Sequence, residues 1–168
     1  MDIIHTTFVT SFRWCGLIKG KKGVKRIFLP EKNRKEVIAK IKTSYPLSVF
    51  SKDGFEKEIK GISAYFRGEN KKFSFFLDFS GSTNFQRMVW SETAKIPYSE
   101  SRSYKYIAQK IGNRNSSRAV GTALGKNLFP LAIPCHRVLR ADGKMGGFTA
   151  AGGIGLKEKL LNLESKII

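Results

Sequence analysis

Ile133-Pro134-Cys135-His136-Arg137-Val138 sets a thiol between a proline and an imidazole. A cysteine attacks as its thiolate, and a nearby histidine either lowers the thiol's pKa or takes its proton. The proline removes a backbone donor and pre-sets the approach to the cysteine. Plain core packing next to a surface His-Arg pair is the competing reading, because cysteine is among the most buried residue types. Adjacent side chains diverge, so a water between Cys135 and His136 is an easier geometry than a direct bond. Downstream, a helix from about Ile154 gathers Leu156, Leu160, Leu161 and Leu163 on one apolar arc, and Glu164 falls inside it. A carboxylate there is partly buried and needs a partner. Lys157 points near the same arc, so the partner is either that ammonium, in a plain salt bridge, or an imidazole held in place.

The elements upstream of the cysteine suggest what it serves. Ser101 or Ser103 starts a helix through Tyr104, Ile107, Ala108 and Ile111, closed by Gly112. The short turn Asn113-Arg114-Asn115 leads into a second helix, Ser116 to Gly125. Helix, short turn and helix make the helix-turn-helix outline, which an ordinary helical hairpin shares. The second helix is built almost entirely of small side chains, and each of its glycines costs roughly 1 kcal/mol of propensity relative to alanine. Such a thin helix admits a close backbone approach, either by a phosphate backbone or groove or by another helix. Arg118 is its one long side chain placed to reach between bases.

Composition favours the first kind of partner. The 168 residues carry 31 Lys+Arg against 13 Asp+Glu, a net charge of +18, which points to a polyanion, usually nucleic acid. A hydrophobic content of 41%, with 13 phenylalanines, is enough for a real core. Two cysteines (Cys15 and Cys135) and two histidines (His5 and His136) form no CxxC and no paired metal spacing, so no structural zinc site is expected. No signal-peptide pattern opens the sequence and no run of about 18 apolar residues occurs, so the chain reads as soluble, intracellular and free of disulfides, with no membrane partner. Gly152 to Lys157 lacks the spacing and the Ser/Thr of a phosphate loop.

From the start of the chain, short β-rich runs flank Gly20-Lys21-Lys22-Gly23, a hairpin signal with Cys15 in a core strand. Pro30 closes this sheet segment. Glu31–Tyr45 is a short amphipathic helix, and Phe55, Ile59, Ile62 and Phe66 form the stripe of a second, stopped at Gly68-Glu69-Asn70. Phe73–Phe79 reads as another strand. The lysines at 19, 21, 22 and 25 read as solvated turns. Ser80-Gly81-Ser82-Thr83-Asn84 reads as the domain boundary by composition. Thr83 or Asn84 then caps a helix with Phe85, Met88, Val89 and Trp90 on its buried face, and Ile96-Pro97-Tyr98 is extended.

The order Phe85-Gln-x-x-Val-Trp90, Ser101-Arg-Ser-Tyr104, Ser117-Arg-Ala-Val-Gly121, Lys126-Asn127 with Pro130 shortly after, Ile133-Pro-Cys-His-Arg-Val138 and Lys157-Glu-x-Leu-Leu-x-x-Glu164 resembles the O6-alkylguanine-DNA alkyltransferases, the methylated-DNA–protein-cysteine methyltransferase family. The resemblance covers about Phe85 to Glu164. Before the boundary it is an outline only, through Tyr65-Phe66-x-Gly68 and Leu77-Asp-Phe-Ser-Gly81. It implies an α+β chain: a small ribonuclease-H-like α/β domain over 1–80, a linker at 81–84, and a mainly helical winged helix-turn-helix domain over 85–168.

It further implies direct repair without a cofactor, in which a monomeric cytoplasmic protein binds double-stranded DNA through the minor groove. Cys135 would accept an alkyl group from guanine O6 and keep it. His136 would take the thiol proton through a water, and Glu164 would orient His136. Tyr104 would donate toward the departing guanine and help turn its phosphate, and Asn127 would order the turn beside the cysteine. Arg118 would fill the gap left by the extruded nucleotide, with Ser117, Ala119, Gly121 and Arg137 also on the DNA. Phe148, Thr149, Val138 and Pro130 would line the base pocket. A base must leave the stack for a thiol to reach its O6. The sequence departs from the family pattern where Gly147-Phe148-Thr149 is followed by Ala150-Ala151-Gly152-Gly153, two residues longer before the helix, and where Phe148 replaces a common Tyr. The rival class is a sensor or regulator that binds alkylated DNA without transfer. Relatives of that kind lack the cysteine. A thiol hydrolase with a Cys-His-Glu relay is a third reading, which the basic surface does not explain.

Overall fold

The structure is a computed structural model describing residues 3–69, 72–150 and 152–165. The helix stop expected at Asn70 and the loop register at Ala151 fall outside these residues. Two compact units divide the chain, Met1–Phe79 and Ser80–Ile168. Among the described residues no helix is long and apolar enough to cross a membrane.

In the first unit, β-rich runs become β1 (Ile4–Thr10), β2 (Arg13–Gly20) and β3 (Gly23–Glu31), an antiparallel meander. A two-residue β4 (Val49–Phe50) adds in parallel to β1, giving the order β3-β2-β1-β4. Cys15 to Ile18 are all buried, as on a strand covered on both faces. Helix α1 (Arg34–Ser44), capped by the Asn33 side chain on Glu36 N–H, lays Val37 and Ile41 against Ile18 and Phe28. That packing needs Gly16, where a Cβ would lie 2.5 Å from Val37 Cγ1. On α2 (Glu56–Phe66), Ile62, Tyr65 and Phe66 are buried, and Lys19 reaches the buried Glu58 at 2.8 Å.

The strand expected at Phe73–Phe79 does not form. An isolated bridge, Val24 to Leu77, takes the place of a strand ladder to β3, through Val24 N–H to Phe76 O and Asp78 N–H to Val24 O. The alternating aromatics resemble a half-buried strand, yet both ladder bonds converge on one residue. Gly23 sits there at φ +123, and a Cβ on it would meet Phe76 O at 2.4 Å.

In the second unit, Thr83 and Gln86 close a capping box at the start of α3 (Asn84–Ala94). Val89, Trp90 and Thr93 are buried, whereas Met88, expected on that face, is 49% exposed. Trp90 Nε1 donates to Ala123 O at 2.9 Å, tying α3 to α5 (Ser117–Gly125). Ser103 caps α4 (Tyr104–Lys110). Two-residue strands β5 (Arg102–Ser103) and β6 (Val138–Leu139) pair in parallel, Arg102 with Val138 and Ser103 with Leu139. This short ladder brings the first residue of α4, Tyr104, beside the turn that holds Cys135. Helix α6 (Gly153–Ser165) closes the unit, with Leu156, Lys157, Leu160 and Glu164 buried.

Replacing Gly23 by alanine places a side chain at a left-handed φ and against a carbonyl. We expect it to lower stability by about 1–3 kcal/mol, read as a reduced urea midpoint at unchanged m-value.

Candidate active site

Cys135, His136 and Arg137 form one 3-10 turn with all three side chains buried. Asn127, just past the end of α5, holds this turn. Its amide nitrogen donates to Ile133 O at 2.8 Å and lies 3.3 Å from Cys135 Sγ, while its oxygen accepts from Phe129 N–H at 2.9 Å. Burial pushes the Cys135 thiol above its ordinary value, and the Asn127 contact opposes that.

Glu164 lies inside the apolar arc of α6 and is 1% exposed. Its carboxylate meets His136 Nε2 at 2.7 Å, Arg137 Nε at 2.8 Å, Arg137 Nη2 at 2.9 Å and Ser99 N–H at 3.2 Å. Of the two partners weighed from sequence, the imidazole is present and Lys157 is not. The salt bridge is made by Arg137 instead, as a two-point fork. That carboxylate accepts from Nε2–H, so Nδ1 carries the imidazole's lone pair. Burial lowers the His136 pKa; Glu164 raises it and Arg137 lowers it. The result is a neutral imidazole that can accept a proton.

The expectation that Arg137 contacts DNA is corrected. Arg137 is 6% exposed, its fork is on Glu164, its Nη1 donates to Ile96 O at 2.7 Å, and its guanidinium lies over the Tyr98 ring. It faces inward because a buried carboxylate requires a cation. Ser99 was missed. It sits at φ +64, and in that conformation its N–H reaches the Glu164 carboxylate while its hydroxyl donates to Glu164 O. Pro97-Tyr98-Ser99 therefore turns rather than extends, and only the Pro hints at it.

Tyr104 packs its ring between three elements. Gly121 of α5 has room for a Cβ 3.7 Å from the ring, Gly146 has none because a Cβ would lie 2.5 Å from the Tyr104 hydroxyl, and Lys157 Nζ stands 5.8 Å from the ring centroid. Burial raises the Tyr104 pKa, and the nearby Cys135 raises it further, so the phenol keeps its proton. Along α5, Arg118, Ala119, Thr122 and Gly125 are exposed and Ser117 and Gly121 half-buried. A Cβ on Gly125 would make ordinary contact at 3.5 Å with Thr149 Cγ2. Packing within the unit thus does not explain the glycines of this helix. Phe148 is half-buried, Thr149 is exposed with its hydroxyl on Gly125 O, and Pro130 and Val138 are buried, Val138 completely. Among the described residues no group of three or more His, Cys, Asp or Glu could hold a metal.

Two outcomes are expected from this geometry. Glu164→Ala strands the buried Arg137 charge and should cost about 3–5 kcal/mol by urea denaturation. His136 and His5 both have pKa values lowered from 6.5, chiefly by burial. As pH falls through 6.5 the unfolded chain takes up these protons first, so stability should be whole above that pH and decline below it. Unfolding curves at pH 7.5, 6.5 and 5.5 check this, and a flat or rising stability toward pH 5.5 contradicts a neutral His136.

Comparison with known proteins places this arrangement. The family described as "6-O-methylguanine DNA methyltransferase, DNA binding domain" matches residues 84–166. The methylated-DNA–protein-cysteine methyltransferase of Methanosarcina barkeri is 40% identical over 149 residues, 88% of each chain. That of Methanosarcina acetivorans is 44% identical over 116 residues, 69% of this chain and 72% of the relative. Among solved structures, Mycobacterium tuberculosis O6-methylguanine methyltransferase superposes with a TM-score of 0.84 at 32% identity, covering 99% of this chain and 94% of the other. The same organism's OGT in complex with DNA gives 0.82 at 34% identity, covering 96% and 92%. The chain is a member of the methylated-DNA–protein-cysteine methyltransferase family.

Proposed function

We propose that this protein repairs DNA by moving an alkyl group from guanine O6 to Cys135 Sγ, once per molecule. The observation that carries the reading is the pairing of a thiol held by Asn127 with a neutral imidazole whose far nitrogen is fixed by Glu164. His136 takes the thiol proton through a water at Nδ1. The sulfur attacks the alkyl carbon, an S–C bond forms and the O6–C bond breaks. The electron pair goes to the guanine, which takes up a proton; Tyr104, protonated and beside the site, is positioned to donate. The product is a thioether with no easy leaving group, so the acceptor is consumed.

The substrate is O6-alkylguanine in duplex DNA, turned out of the stack into a pocket walled by Phe148 and Thr149 and backed by Pro130 and Val138. Helix α5 lies in the minor groove, with Arg118 in the vacated space and Ser117, Ala119 and Gly121 on the backbone. The α4–turn–α5 pair with β5 and β6 reads as a winged helix-turn-helix, and the four-stranded unit before it as ribonuclease-H-like. The protein acts as a monomer in the cytoplasm, without a cofactor.

Intact-mass measurement after incubation with duplex DNA carrying O6-methylguanine should show a gain of one methylene on the Cys135 peptide. Cys135→Ala should still bind that DNA and gain nothing. Binding by the native protein with no mass gain would leave only the sensor reading.

A further inference from the structure

Among the described residues Lys157 is buried with no acid against it. It is 0% exposed, and among the described residues its contacts are Val138 O, 2.7 Å from Nζ, and the face of Tyr104. A lysine taken fully from water is costly unless an opposite charge offsets it. The charged and titratable groups around it are Glu164 on its own helix, Cys135, His136 and Arg137 on the 3-10 turn, and Tyr104 on α4. Glu164 is spent on the Arg137 fork, which cancels both charges. His136 is a neutral donor to that carboxylate, and Tyr104 keeps its proton. That leaves one positive charge in the buried site and one group able to answer it.

We propose that Lys157 is the counter-cation of the Cys135 thiolate, a positioning residue that lets a buried thiol ionise. Val138 is the residue directly after the Cys-His-Arg turn, so the hydrogen bond to its carbonyl anchors the ammonium at the end of that turn. Burial lowers the Lys157 pKa and the charge of Cys135 opposes that, just as burial raises the Cys135 pKa and Lys157 opposes it. Tyr104 protonates the guanine released, the proton that left sulfur for His136 restores Tyr104, and the ammonium stays charged throughout. In the product the sulfur is a neutral thioether. This inference rests on the reading of Cys135 as alkyl acceptor. It goes beyond the Cys-His-Glu relay by supplying the charge that the relay lacks, since a neutral imidazole accepts a proton but does not stabilise the anion left behind.

The test uses Lys157→Met, and Lys157→Gln, which keeps an N–H for Val138 O. Labelling of Cys135 by iodoacetamide without DNA is followed against pH and assigned by peptide mass. Both variants should label with a midpoint at higher pH and roughly tenfold more slowly at pH 7, with alkyl transfer from O6-methylguanine duplex slowed alike and recovering as pH rises. A purely structural lysine would change melting temperature and leave the midpoint alone. Folded variants that label at the native midpoint overturn the proposal. Should neither variant fold, the Lys157 ammonium is titrated by NMR in native protein and in Cys135→Ala. Loss of the sulfur should move its titration to lower pH, and an unmoved titration overturns the proposal. If the labelling shift appears and no transfer from DNA ever does, the repair reading fails and the ion pairing stands.

Discussion

One buried carboxylate organises the C-terminal unit. Glu164 is carried by α6, yet these partners come from elsewhere: His136 and Arg137 from the 3-10 turn, Ser99 from the turn after Pro97. A charge in the interior must be answered at several lone pairs at once, and answering it ties three distant stretches to one point. The backbone at Ser99 is held in the left-handed region by this demand. The same constraint sets the chemistry. Because Arg137 already neutralises the carboxylate, the imidazole next to it has no reason to hold a second proton.

The candidate site residues were legible because they lie close in sequence or at a helical period. Cys135 and His136 are neighbours, and Glu164 betrays itself as an acid among leucines on a 3.6-residue repeat. Arg137 was placed on DNA by the resemblance alone. Its guanidinium is held by Glu164 and by Ile96 O, some 40 residues earlier, and no local pattern records that. Lys157 was weighed as one possible partner of Glu164. Its place on the arc was visible, but the carbonyl it bonds, that of Val138, lies on another element. Met88 and the Phe73–Phe79 stretch show the limit of pattern alone. Apolar side chains at a buried-looking spacing stay exposed where no element covers them, and alternation makes a strand only where a neighbour offers a full ladder.

The positioning of the site is economical in length. Four residues in β5 and β6 bring Tyr104 alongside the cysteine turn, and one amide, that of Asn127, fixes the same turn from the α5 side. Neither device is visible as a propensity. Two-residue strands fall below any periodic signal, and an asparagine after a helix is an ordinary cap until its partners are known.

The bareness of α5 has one more consequence. Reading a base sequence takes paired donors and acceptors that reach the base edges, and Ala119, Gly121, Thr122 and Gly125 are too short to provide them. Only Arg118 has the length, and one guanidinium cannot spell a word. A surface of this kind is illiterate by construction. If α5 lies on DNA as proposed, it meets every stretch of a duplex with equal indifference and is stopped by a base that comes out easily, which is what a lesion scattered at random demands of whatever must find it.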